Sequence, residues 1–121
     1  MNKLIVFVFS TLILASCNKY SDKVAGTYIG QISINDSIKY MNSNIIISEI
    51  SNKRISIEGD YFNINEIEIE KQRYFGSVTY FHYGDSYTNL ELEIGGTATG
   101  LYLSLVYYDN LNNHYVFSGE N

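Results

Sequence analysis

From Gly26 to the C-terminus, apolar and polar residues alternate with period two almost throughout, and Ile, Tyr, Val, Thr and Phe occupy the positions that strands favour. No helix-length window repeats with the 3.6-residue period of an amphipathic helix. The alternation predicts eight strands, at 27–34, 44–51, 54–58, 62–70, 73–83, 87–94, 101–108 and 114–118. Turn-forming residues separate them: Asn35-Asp36-Ser37, Ser51-Asn52-Lys53, Gly59-Asp60, Lys71-Gln72, Gly84-Asp85, Gly95-Gly96 and the stretch from Asp109 to Asn113. Most of these connections have the length of hairpin loops, whereas a parallel crossover needs about a dozen residues or more. The chain therefore reads as an antiparallel up-and-down meander.

In Leu90-Glu91-Leu92-Glu93-Ile94 the aliphatic side chains point one way and the glutamates the other, so one face is buried and one is wet. Ile67-Glu68-Ile69-Glu70 repeats the arrangement. Within that strand the inward parity of Phe62 and Ile64 switches to Ile67 and Ile69, which requires an extra residue, a β-bulge, at Asn65-Glu66. An open sheet of this kind would expose one apolar face and two unpaired edges. Closing the eight strands into a barrel removes both problems, and eight is the number at which the bore is just filled by side chains or holds one small ligand. A two-sheet β-sandwich is the competing solution.

Composition narrows the picture further. With 121 residues, 45% apolar, 17% charged and no proline, the chain is one globular domain and neither disordered nor collagen-like. A single cysteine excludes an internal disulfide framework and any multi-cysteine metal centre. The net charge of −5 opposes nucleic acid as a partner through long-range repulsion.

The N-terminus is an address. Lys3 supplies a positive start, residues 4–14 form an apolar stretch broken only by Ser10 and Thr11, and small residues follow. The stretch is too short for a bilayer span of about twenty residues. Leu14-Ala15-Ser16-Cys17 resembles the lipobox of bacterial lipoproteins. That resemblance implies a diacylglyceryl thioether on Cys17, cleavage before it, N-acylation with chains such as palmitate, and anchoring in the cell envelope of a Gram-negative bacterium, at the outer membrane. The expected organisation is a signal peptide at 1–16, a lipidated tether at 17–23 and a β-barrel domain at 24–121. With Lys3 removed, seven bases face thirteen acids.

Gly26-Thr27-Tyr28-Ile29-Gly30 in the first strand and Val116-Phe117-Ser118-Gly119 in the last resemble the opening and closing segments of small calycin-like, or lipocalin-like, β-barrel domains of bacterial lipoproteins. Tyr28 stands where classical lipocalins carry tryptophan, and this chain has none. The glycine lets the first strand approach the barrel floor, and the large ring behind it plugs that end. The resemblance implies a small apolar ligand bound at the open end. Residues expected around such a ligand are Tyr28, Ile38, Tyr40, Met41, Tyr80, His82, Tyr87 and Tyr102. Ile38, Tyr40 and Met41 lie in the interruption at 35–43, either as a lid over the mouth or as an extension of the hairpin.

Twelve tyrosines exceed what a core of this size needs, and tyrosine suits recognition of proteins and glycans. The second reading is an interaction module that contacts an envelope protein or glycan through exposed tyrosines. Tyr102, Val106 and Tyr108 share the outward parity if Leu101, Leu103 and Leu105 point inward. No catalytic residue is assigned: neither His82 nor His114 has an evident nucleophile to serve, and there is no Gly-x-Ser-x-Gly elbow. No cofactor is expected, and a metal site at His82, Asp85 and His114 would require the fold to gather them.

Overall fold

A computed structural model describes residues 20–84, 89–96 and 100–121. A single helical turn, α1 (Ser21–Val24), precedes nine strands: β1 (Gly26–Ile34), β2 (Ile38–Ser51), β3 (Arg54–Gly59), β4 (Asn63–Glu68), β5 (Glu70–Tyr74), β6 (Ser77–His82), β7 (Leu90–Gly96), β8 (Leu101–Tyr108) and β9 (His114–Glu120). They form one antiparallel sheet in the order β4-β3-β2-β1-β9-β8-β7-β6-β5. The last strand closes on the first, with Ile32 opposite Phe117.

The outermost strands of that order, β4 and β5, are consecutive in the chain and separated by Ile69 alone. Residues 63–74 therefore act as one bent strand, pairing with β3 through the first half and with β6 through the second. At the bend the Ile69 N–H donates to the Lys53 carbonyl at 2.8 Å, and the side chain is fully buried. The product is a nearly closed up-and-down barrel, with nine strands in place of the expected eight because this one is divided. One continuous sheet also replaces the two-sheet alternative.

Most turns among the described residues fall where the turn chemistry puts them, with two exceptions. Lys71 and Gln72 do not turn; they sit in β5 opposite Tyr80 and Thr79. The chain reverses instead at Phe75-Gly76, where both residues have positive φ (49° and 82°), the signature of a two-residue hairpin turn of type I′. Gly95 and Gly96 belong to β7, opposite Tyr102 and Leu101. The second strand starts at Ile38, so 38–43 extends the hairpin and is no lid.

The bulge expected at Asn65-Glu66 is present: Ile57 faces Ile64 while Ile55 faces Ile67, leaving one extra residue in β4. A second bulge lies at Met41-Asn42, between the Gly30–Ser43 and Ile32–Tyr40 pairs, with Asn42 left-handed at φ 61°. Its effect is to turn Tyr40 back toward the parity of Ile32 at the barrel rim.

Alternation fills the bore. Among the described residues sixteen apolar side chains are buried, mostly Ile and Leu from successive inward positions such as Ile45 and Ile47, Leu92 and Ile94, Leu103 and Leu105. Burying each such side chain contributes roughly 1.5–3 kcal/mol before conformational entropy is counted. At one end α1 lies across the opening, held where the Tyr20 and Ser21 N–H groups donate to the Asn52 carbonyl. Beneath it the buried Tyr28 hydroxyl donates to the Val24 carbonyl at 2.7 Å. The other end is plugged by Phe62, Tyr107 and Tyr115, with ring centroids 4.9 Å and 5.1 Å from Phe62. Residues 20–121 thus hold all nine strands, both plugs and the core, so a domain beginning at Asn18 contains what the barrel needs to fold.

Candidate functional site

Because neighbouring strands run antiparallel, the turns divide between two ends. The α1 end carries the Asn52-Lys53 turn, the Phe75-Gly76 hairpin and the meeting of Asn121 with Leu101. The far end carries Asn35-Asp36-Ser37, the Asp60-Tyr61-Phe62 connection and the loop from Asp109 to Asn113. Asn35 ties two of these far-end turns together: its N–H donates to the His114 carbonyl at 2.7 Å, and its side-chain oxygen accepts from the His114 N–H at 2.8 Å.

The far end is rimmed by aromatic rings. Tyr40 from β2 stacks on Tyr61 at a centroid distance of 5.1 Å and 25° between planes, and both remain about two-fifths exposed. Asp60 fixes this corner by accepting from the Asn44 N–H at 3.0 Å and from the Ser43 hydroxyl. Partial burial, then the neighbouring Tyr40 and Asp60, push the Tyr61 phenol above its ordinary value. Across the rim Tyr108 lies flat on His114, 4.4 Å away with 2° between planes, and Leu111 projects from the loop between them. A depression of about 160 Å³ runs beside this loop, bounded by Ile64, Tyr107, Tyr108 and Asn110.

Asp109 organises the loop. Its carboxylate accepts from the Leu111 and Asn113 N–H groups, each at 2.9 Å, from the Asn113 amide and from the Tyr115 hydroxyl. Burial alone would raise its pKa, but these hydrogen bonds outweigh burial and hold the carboxyl below its ordinary value. Tyr115 moves the other way, raised by burial and then by its bond to Asp109.

The structure scatters the residues expected around a ligand. Tyr28 is fully buried core. Tyr40 and the largely exposed Met41 sit together on the far rim. Ile38 begins β2 next to them, but its side chain lies outside the described residues. Tyr80 faces inward, packed on the core and on Tyr20 at 6.1 Å. Burial and then Asp22 raise its phenol. His82 is half-buried at the bend of the divided strand, its Nδ1 2.9 Å from the Glu68 carbonyl. Tyr102 lies on the outer face against Gly95, where a Cβ would come within 2.7 Å of the ring. Tyr80 and Tyr102 meet only at an open depression of about 620 Å³ on the α1 end, also lined by Lys23, Gly96 and Leu101. Cys17 and Tyr87 lie outside the described residues, as does Asp85.

Among the described residues no group of three or more His, Cys, Asp or Glu side chains is arranged to hold a metal ion. His82 and His114 belong to separate features, one at the bend near Ile69 and one on the far rim. The rim residues Tyr61, Tyr107 and Tyr115 were not among the expected ligand positions. Tyr107 and Tyr115 were within reach of the inward parity of Leu105 and Phe117, whereas Tyr61 sits in a connection where alternation carries no signal.

The fold and site define a class, an all-β, nearly closed antiparallel barrel with a filled bore and an aromatic rim, consistent with a calycin-like fold. Comparison of the chain with protein-family models, with curated proteins and with solved structures gave no match.

Proposed function

We propose that this protein is an envelope lipoprotein, anchored through Cys17, whose calycin-like barrel works without catalysis as an interaction module. The far rim recognises an envelope protein or a glycan. The observation that carries this reading is the exposed Tyr40–Tyr61 stack, held by Asp60 on the end opposite the one where the N-terminal segment enters. Flat apolar faces beside fixed hydrogen-bonding groups suit sugar rings and protein side chains alike. Core side chains occupy the bore, which favours the outer rim as the place of contact. The test uses the domain from Asn18, screened against cell-wall oligosaccharides by thermal shift and against envelope proteins by crosslinking in cells. Tyr40→Ala with Tyr61→Ala is expected to weaken the contact found at least tenfold with strand content unchanged. Undiminished binding by the double variant would sink the assignment.

A small apolar ligand is the second reading, and the depression between Tyr80 and Tyr102 favours it. In this case fatty acids stabilise the domain against heat and Tyr102→Ala removes the stabilisation.

A further inference from the structure

The hairpin joining β5 to β6 ends in Tyr74 and Phe75, which are 69% and 91% exposed, the rings edge to face at 4.4 Å. Phe75 occupies a left-handed position (φ 49°) where a bulky side chain is disfavoured and Asn or Asp is the usual occupant. The tip thus carries two unfavourable features in water: a strained aromatic residue and an almost bare ring. Neither ring is buried in the barrel core, which lies in Ile, Leu, Tyr and Phe side chains of other positions.

We propose that this tip inserts into the lipid bilayer, so that the domain rests on its membrane through Tyr74 and Phe75. Position supports it. The tip lies on the α1 end, where Lys23 of α1 and Gly76 of the hairpin line the same depression. Cys17 is three residues before Tyr20, a reach of at most about 11 Å. Charge supports it too. The chain is acidic overall, yet Lys23, Lys53, Arg54, Lys71 and Arg73 all belong to segments at this end, and among the described bases only Lys39 belongs to the far end. Lys53 and Lys71 both sit over the Tyr20 ring, at 5.2 Å and 5.6 Å. Lys71 and Arg73 lie on the strand that leads into the tip, and bases flanking exposed aromatic rings match an interface of acyl chains and anionic headgroups. Its orientation points the Tyr40–Tyr61 rim away from the membrane, and in that respect it rests on the anchor reading above.

The chain contains no tryptophan, so Phe75→Trp introduces a single fluorophore at the tip. Two samples carry it: the full chain expressed with its leader and Cys17 and reconstituted into phosphatidylglycerol-containing vesicles, and the soluble domain from Asn18 mixed with the same vesicles. In the reconstituted protein the emission is expected to shift to the blue and to be quenched by brominated acyl chains. Phe75→Asn is expected to lower vesicle binding of the soluble domain roughly tenfold while raising its melting temperature, because asparagine suits the turn better. If the full chain floats with vesicles but the tryptophan emits as in water, the anchor stands and the insertion is overturned. If both samples show the shift but alkaline carbonate strips the full chain from the vesicles as readily as the soluble domain, the insertion stands and the anchor reading fails. Water-like emission without flotation overturns both.

Discussion

The His82 ring and the Glu68 carbonyl meet at 2.9 Å across the bend where the barrel changes strand partners. A carbonyl oxygen only accepts, so Nδ1 carries the proton and donates. β4 ends at Glu68, β6 ends at His82, and no ladder pair joins these two strands. Among the described residues, the bond therefore spans the gap between the two ends of the strand order. His82→Ala should cost about 1–2 kcal/mol and speed amide exchange of β5 more than that of β8. His82→Asn, whose amide can reach the same carbonyl, should recover part of the loss. Equal protection of β5 in all three proteins would remove this role.

Gly30 and Gly119 face each other where the first and last strands close the barrel. A Cβ on Gly30 would land on the Ser118 carbonyl and the Gly119 Cα, and one on Gly119 would meet the Phe117 ring at 2.6 Å and the Ile29 carbonyl at 2.7 Å. Backbone atoms cannot swing aside as a side-chain tip can. Gly30→Ala should therefore destabilise by about 3 kcal/mol or more, seen as a lower urea midpoint at unchanged slope. Gly96→Ala, where a Cβ meets nothing within 4 Å, should stay within about 0.5 kcal/mol of the parent.

Those glycines bear on how far the fold was legible. Alternation in Leu90–Ile94 reports burial directly, and the parity switch after Ile64 marks a bulge, because each is written into adjacent residues. Closure of β1 on β9 is visible in Gly30 and Gly119 once the strands are known. The Phe75-Gly76 turn was hidden because a left-handed phenylalanine contradicts local preference, so 73–83 reads as one strand. The rim was hidden for another reason: Tyr61 and Tyr40 meet through two connections and a bulge, a tertiary coincidence that no local window contains.

Burial pushes the Tyr28 phenol from 10.0 up to about 12. A raised folded-state pKa means the stabilisation is fully present below pH 10 and is lost as pH climbs toward 12, since the unfolded chain gives up its proton first. The wild-type domain should lose about 3 kcal/mol from this group across that window. Tyr28→Phe should be about 1 kcal/mol less stable at neutral pH, where the Val24 carbonyl loses its donor. Its alkaline decline should be shallower. Parallel alkaline limbs in urea titrations of the two proteins would contradict the burial argument.

Acid should reveal the opposite sign at Asp109. Although burial disfavours its charge, the donors from Asn113, Leu111 and Tyr115 hold its pKa below the ordinary 3.8. A depressed folded-state pKa gives stability that is present above the unfolded value and disappears as pH falls through the folded one. Asp109→Asn keeps the shape but has one acceptor oxygen where four donors converge, so the domain should be less stable at pH 7. Its urea midpoint should also fall less between pH 5 and pH 2 than that of the parent. Because Tyr115 hands its hydroxyl proton bond to Asp109 while packing on Phe62, the variant should loosen the far-end plug as well. Near-ultraviolet circular dichroism of the tyrosine cluster reads this loosening. An unchanged spectrum together with an unchanged acid limb would show that the Asp109 loop does not support the rim.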